Sequence, residues 1–276
     1  MFRRLFCILA LVLSVGCSSS EEKIDIPPPL EDGSTPTVVE QTPTPVVAPA
    51  TPVEAVWSYS GAFAPQYWGD LDPSFIMCKE GKHQSPVDLK WKKPTKNNPF
   101  STSYAATKVR VEDTGTLIRL RADSGNSVQM RSSVYNLEHV DFHSPSEHQL
   151  SGKSFPLEIQ FLHKNDKDFY SVVSVFVKAG KANPIADKII ASFPEGKSAS
   201  KEIIEPVLLS SLMPSKVTFY NYAGSLTFPP CSEGVNWMVL NTPVEFSQAQ
   251  ISAFEARYSK NNRPIQPMNN RAIINY

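Results

Sequence analysis

The sequence predicts a mostly β fold with short helices (α+β), built on one large, mainly antiparallel sheet. Three observations carry this. Apolar and polar residues alternate through "TLIRLRA", "SVQMRS" and "LEHVDFH", then through "PLEIQFLH", the period of a strand with one buried face. Longer apolar runs, "YSVVSVFVKAG" and "NWMVLNTPVEF", read as central strands. Helical patterns are confined to "PIADKIIASF" and "SQAQISAFEARY", the second with Ser247 as its N-cap. The strands adjoin without βαβ spacing, which excludes a parallel α/β sheet. "DSGN" between the first two strands reads as a hairpin turn.

Residues 1–16 read as a signal peptide. Arg3 and Arg4 precede an apolar run, Leu5–Val15, too short for a permanent transmembrane helix. "LSVGCSSS" resembles a bacterial lipobox, so Cys17 is expected to carry lipid, although Ser14 stands where the usual box has leucine. Residues 17–56 are then a lipidated cysteine and a Pro/Ser/Thr-rich tether. Residues 18–56 hold eight of the 24 prolines and no aromatic residue, a composition that forms an extended spacer rather than a core. With no aspartate after Cys17, outer-membrane sorting is favoured by resemblance to known lipoproteins. The folded domain is expected over residues 57–276.

The formal net charge of zero excludes a global field aimed at nucleic acid. The acidic tether leaves residues 57–276 with 24 bases and 20 acids. That mild positive balance, with "WKKPTK" and the alternating Arg119 and Arg121, is compatible with a polyanionic glycan, although solvated surface charge explains the same residues. Of the four cysteines, Cys7 leaves with the signal and Cys17 takes lipid. Cys78 and Cys231 remain as one expected disulfide in an oxidising compartment. A two-cysteine metal site is the alternative, without a CxxC spacing to support it.

The chemistry-bearing stretch is "LEHVDFHSPSEH", residues 137–148. On a strand, His139, Asp141 and His143 share one face, with Val140 and Phe142 on the other. On the next strand, Glu158, Gln160 and Leu162 share a face. Two residues of one strand and one of its neighbour can gather three metal ligands, so spacing nominates Asp141, His143 and Gln160.

These motifs, with "YWGDLDPSFIMCKEGKHQSPVDL", "YAGSLTFPPCSEGVNWMVLNTPV" and "NNRPIQPMNNR", resemble the α-class carbonic anhydrases across nearly all of residues 57–276. The resemblance implies a central twisted sheet carrying the active site in a conical cavity, and a Cys78–Cys231 disulfide as in bacterial members. It implies zinc held by three neutral histidines, with a water whose pKa the metal lowers to about 7. Two of those three positions are altered: the ligand positions fall on Asp141, His143 and Gln160. The proton-shuttle position falls on Thr116. Thr227 and Glu147 match the gate pair that orients zinc hydroxide, and Glu158 and His139 fall beside the ligands. Leu162, Val172, Leu226, Val235 and Trp237 match the apolar pocket wall, with Phe228 crowding the floor.

Asp is a legitimate zinc ligand and Gln a weak one, and losing one supporting partner alone costs about 10–100-fold in metal affinity. The expectation is therefore a zinc-ligand-deficient, carbonic-anhydrase-related lipoprotein. It would be a catalytically silent pseudoenzyme with no cofactor, acting as a binding domain tethered to the cell envelope. Its partners would be the membrane, through the lipid, and an envelope or extracellular macromolecule such as a polyanionic glycan, with no nucleic acid. The alternative is a divergent carbonic anhydrase with weak or non-zinc metal-dependent hydratase or esterase activity, with zinc if the altered site still binds it. A small-ligand receptor using Phe228 as a stacking floor is a third reading.

Overall fold

The computed structural model describes residues 56–90, 92–93 and 98–276. The expected signal peptide, Cys17 and all but the last residue of the tether lie outside them, as does most of "WKKPTK". Among the described residues no helix is long and apolar enough to cross a membrane.

Two one-turn helices, α1 (Trp68–Leu71) and α2 (Met77–Glu80), open the domain. The strands follow as β1 (Asp88–Leu89), β2 (Phe100–Ser103), β3 (Thr107–Asp113), β4 (Ile118–Ala122), β5 (Ser127–Met130) and β6 (Ser133–His143). Next come β7 (Gln149–Leu150), β8 (Leu157–Lys164), β9 (Tyr170–Ala179), helix α3 (Pro184–Ala191) and β10 (Ser200–Val207). The chain closes with β11 (Phe219–Ser225), β12 (Glu233–Phe246), helix α4 (Gln248–Arg257) and β13 (Ile274–Asn275). Among the described residues eleven strands form one sheet in the order β10-β3-β4-β6-β8-β9-β12-β11-β13, with β2 joined through β5 to β6. All pairings in it are antiparallel except β9 with β12, so the expected mainly antiparallel architecture holds.

Helices α3 and α4 form where their caps direct. Ser247 accepts from the Gln250 amide while the Gln250 side chain accepts from the Ser247 amide, a capping box. Asn183 accepts from Ile185 and Ala186, and Pro184 occupies the first helical position. The expected hairpin about "DSGN" does not form. Instead β4 and β5 each pair with β6, β5 along Ser133–Asn136 and β4 along Val140–Phe142. The long β6 is a template for both, so tertiary pairing overrides the local turn signal.

Alternation sorts the sheet into two faces. Val140, Phe142, Ile159, Phe161, Val173 and Val175 pack with Ala186 and Ile189 of α3 and with Ile251 and Phe254 of α4. The other face carries a second core of Leu162, Val172, Phe176, Tyr222, Leu226, Val235 and Trp237. Here Gly224 is required: a Cβ at that position would lie 2.2 Å from Ser85 Oγ, and Ser85 Oγ in turn hydrogen-bonds Tyr222. This second face holds the candidate site.

Cys78, on α2, is joined to Cys231 in the turn before β12, across 153 residues. The bridge pins the N-terminal turns to the mouth of the β11–β12 pair. Replacing both cysteines by serine is expected to lower the unfolding free energy by about 2–5 kcal/mol, measured by urea denaturation at neutral pH.

Candidate functional site

The site is assembled by the pairing of β6 with β8. Register sets Asp141 opposite Gln160, His143 opposite Glu158 and His139 opposite Leu162, all on the second face. Spacing therefore brings the three nominated residues together as neighbours. What each does there differs from a ligand set.

Asp141 is gripped. Arg119 donates from Nε to Oδ1 at 2.7 Å and from Nη2 to Oδ2 at 2.8 Å, a bidentate fork. His139 Nε2 lies 3.2 Å from Oδ2, at ion-pair distance without hydrogen-bond alignment. Burial alone would raise the Asp141 pKa; the proximity of His139 and Arg119 and the hydrogen bonds of the Arg119 fork overcome it and hold the carboxyl far below the usual range. Arg119 arrives by register, since β4 places it directly across from Asp141. The reading of Arg119 as surface charge is corrected: with Asp141 it forms a buried ion pair, and it no longer serves the glycan argument. Arg121, two residues on, does face outward and pairs with Glu112.

Gln160 is also committed. Its Nε2 donates to Glu147 Oε2 at 2.8 Å and to Glu158 Oε1 at 3.0 Å. Two carboxylates on one side mean that the amide nitrogen, not its oxygen, faces them. Glu147 Oε1 accepts from the Arg263 amide at 2.8 Å, and the buried Arg263 guanidinium reaches Gln84, Ser85 and the Cys78 carbonyl. Burial lowers the Arg263 pKa to about 10, against the opposing pull of Glu147. The C-terminal "NNRPIQP" segment is thus tied to the site and to the disulfide. Thr227, the expected partner of Glu147, keeps a buried Oγ1 without a hydrogen bond.

His143 donates Nδ1–H to the Asn261 carbonyl at 2.8 Å; a carbonyl only accepts, so Nδ1 carries the proton. Its Nε2 is buried and unpartnered. His148 is a loop residue. It lies between β6 and β7, fully buried, and both ring nitrogens are engaged, Nδ1 with Glu158 at 2.8 Å and Nε2 with the Tyr222 hydroxyl at 2.6 Å. His163, on the opposite face, bonds Tyr104, and burial lowers its pKa to about 3. His83 is exposed beside Glu233.

The cavity is divided. An inner chamber of about 10 Å³ is bounded by His139, Asp141, Gln160 and Thr227, with Leu162, Val172, Leu226 and Trp237 as its apolar wall and Phe228 as its lid. That is room for about one water. Val235 packs in the same core without reaching the chamber. Outside lies a bowl of about 370 Å³ whose lining includes Trp57, Thr114, Thr116, Arg119 and Phe228. Phe228 stacks on Trp57 at 6.2 Å. Together Phe228 and Arg119 separate the two spaces. Thr116, at the expected shuttle position, bonds Thr114 at 3.1 Å on the bowl wall.

A zinc ion on three imidazoles does not fit this donor set. Of the three ligand positions only His143 offers an imidazole lone pair; both Asp141 oxygens are held by Arg119, and Gln160 presents its amide nitrogen. Among the described residues no group of three His, Cys, Asp or Glu side chains is arranged to hold a metal.

Comparison with known proteins sets this geometry in its family. The eukaryotic-type carbonic anhydrase family profile matches residues 63–276. Carbonic anhydrases of Pectobacterium atrosepticum and Neisseria gonorrhoeae are 35% and 37% identical over 79% of this chain, covering 90% and 87% of their own lengths. The solved α-carbonic anhydrase of Thermovibrio ammonificans, in complex with the inhibitor sulfanilamide, is 36% identical. It superposes with a TM-score of 0.77 over 80% of this chain and all of that one. The chain belongs to the eukaryotic-type, α-class carbonic anhydrase family, whose members are carbonate dehydratases and generally use zinc.

This overturns the expectation of a binding-only domain. The relatives matched at this identity are carbonic anhydrases, matched across nearly their whole length, so the divergent-enzyme alternative is the better supported. The disulfide and the bacterial relatives mark an exported protein.

Glu158 anchors the interior of the site. Burial raises its pKa, while His148, Ser174 and the His148 amide pull it down to about 2 from 4.5. A carboxyl depressed in the folded state stabilises fully above the unfolded value, and the contribution fades as pH falls from about 4.5 towards 2. Glu158→Gln is expected to destabilise by about 3 kcal/mol at neutral pH. It should also flatten the loss of stability below pH 4.5, read from urea midpoints across pH.

Proposed function

We propose that this protein is a divergent carbonic anhydrase of the cell envelope, with weak hydratase or small-ester hydrolase activity. The observation that carries the reading is the family match over residues 63–276 joined to a free, tautomerically fixed base at the site. His143 Nδ1–H is held by Asn261, leaving Nε2 as a buried lone pair. On the same face the Thr227 hydroxyl is unpartnered and borders a chamber that admits about one water.

The chemistry this arrangement supports is general-base activation of a water. His143 Nε2 accepts the proton as the oxygen attacks CO₂ to give bicarbonate, or attacks an ester carbonyl, whose C–O bond then breaks to release the acid and the alcohol, the alcohol oxygen taking the proton back from His143; Thr227 orients the attacking oxygen. Glu147, which in its gate-pair role would accept from Thr227, is turned to Gln160 and the Arg263 amide. That diversion is a physical reason for a slow rate. Export with a lipid on Cys17, favouring the outer membrane, is part of the same proposal; the lipobox-like "LSVGC" and the disulfide support it.

Stopped-flow CO₂ hydration and p-nitrophenyl acetate hydrolysis by the purified full-length chain test this, with chelator and with added Mn²⁺ or Fe²⁺. A rate above buffer is expected, reduced by about 100-fold or more in His143→Ala and clearly reduced in Thr227→Val. Rates equal to buffer under every condition overturn the proposal.

A further inference from the structure

The buried fork between Arg119 and Asp141 poses an electrostatic question that the family match leaves open. A carboxylate in the interior needs a cation close by or it neutralises. In a zinc member of the family the cation at this place is the metal. Here the register of β4 on β6 delivers a guanidinium to both oxygens of Asp141, at 2.7 and 2.8 Å. The pair is largely removed from solvent, with Asp141 3% and Arg119 18% exposed. On the same face stand buried polar atoms with no hydrogen-bond partner: His139 Nε2, His143 Nε2 and Thr227 Oγ1. Gln160, opposite Asp141, turns its amide nitrogen towards Glu147 and Glu158. The centre therefore has the charge balance of a metal site with the charge supplied by a side chain.

We propose that Arg119 is the resident cation of this centre: its guanidinium holds the place of the divalent metal, and metal and Arg119 compete for Asp141. The inference concerns occupancy and does not depend on the chain being active. With Arg119 in place, a metal gains at most His143 Nε2 and weak oxygen donors. With Arg119 removed, Asp141 loses its fork and keeps only the His139 ring at 3.2 Å, beside the unpartnered His143 imidazole, which favours a divalent ion.

The test is Co²⁺ titration of the chelator-treated full-length chain, followed by the cobalt visible spectrum, the thermal midpoint and elemental analysis after desalting. Wild type is expected to take up substoichiometric metal, with a midpoint unmoved by Co²⁺ or chelator. Arg119→Gln should bind Co²⁺ at least about tenfold more tightly, within the range over which a supporting residue changes metal affinity. Its midpoint should rise when the ion is added. The gain should vanish in the Arg119→Gln/Asp141→Asn double variant, which has no anion to receive the metal. Should Arg119→Gln fail to fold, Arg119→Lys keeps a cation but loses the fork, and is expected to bind Co²⁺ more tightly than wild type. One tightly held metal per wild-type chain overturns the proposal, as does an Arg119 variant, folded by circular dichroism, with wild-type affinity. Because none of these readouts is a rate, failure here leaves the hydratase reading standing, and an inactive wild type leaves this one standing.

Discussion

Three carboxylates, Asp141, Glu147 and Glu158, are buried on one face of the sheet, and the surrounding structure is organised by the need to satisfy them. An unpaired interior charge costs several kcal/mol, and removing one partner of a buried pair costs about 3–5 kcal/mol. Each carboxylate accordingly has a dedicated partner drawn from a distant segment: Arg119 for Asp141, the Arg263 amide for Glu147, and His148 with Ser174 for Glu158. Gln160 bridges the last two. Because the partners come from β4, β9 and the C-terminal segment, the site and the fold share one set of interactions.

That sharing explains why the scaffold of the family survives with an altered centre. Glu158, His148 and Tyr222 form a continuous hydrogen-bonded chain that ends at Ser85. It also braces the second core around Trp237, whose indole lies 4.6 Å from the His148 ring. None of these groups needs a metal to be satisfied. The Asp141 position does need a cation, and a side chain supplies one. Phe228 then fills space, leaving a chamber of about 10 Å³ behind it, enough for water but tight for a substrate that must pass the ring and the guanidinium.

Much of this was legible in the residues. Alternation in "LEHVDFH" and "PLEIQFLH" placed His139, Asp141, His143, Glu158 and Gln160 on one face, because a strand has a period of two. Arg119 was missed as part of the site. The signal lay in "LIRLR", where the face opposite Ile118 and Leu120 carries Arg119, and a buried Asp141 required a cation. Nothing local says that β4 pairs with β6 at that register rather than with β5 across "DSGN". His148 was missed for the same reason: its partners Glu158 and Tyr222 lie 10 and 74 residues away.

The sequence by itself determined the family, the strand faces, the Ser247 helix cap and the set of residues, Asp141, His143 and Gln160, that share one face, since these depend on residue identity and short-range period. Only the tertiary structure decided what those residues do. Whether Asp141 faces a metal, a solvent molecule or a guanidinium is a matter of strand register. Whether Glu147 serves Thr227 or Gln160 depends on which donor the packing brings within hydrogen-bond reach. Register and reach are properties of the folded whole, settled by the joint burial of segments far apart in the chain.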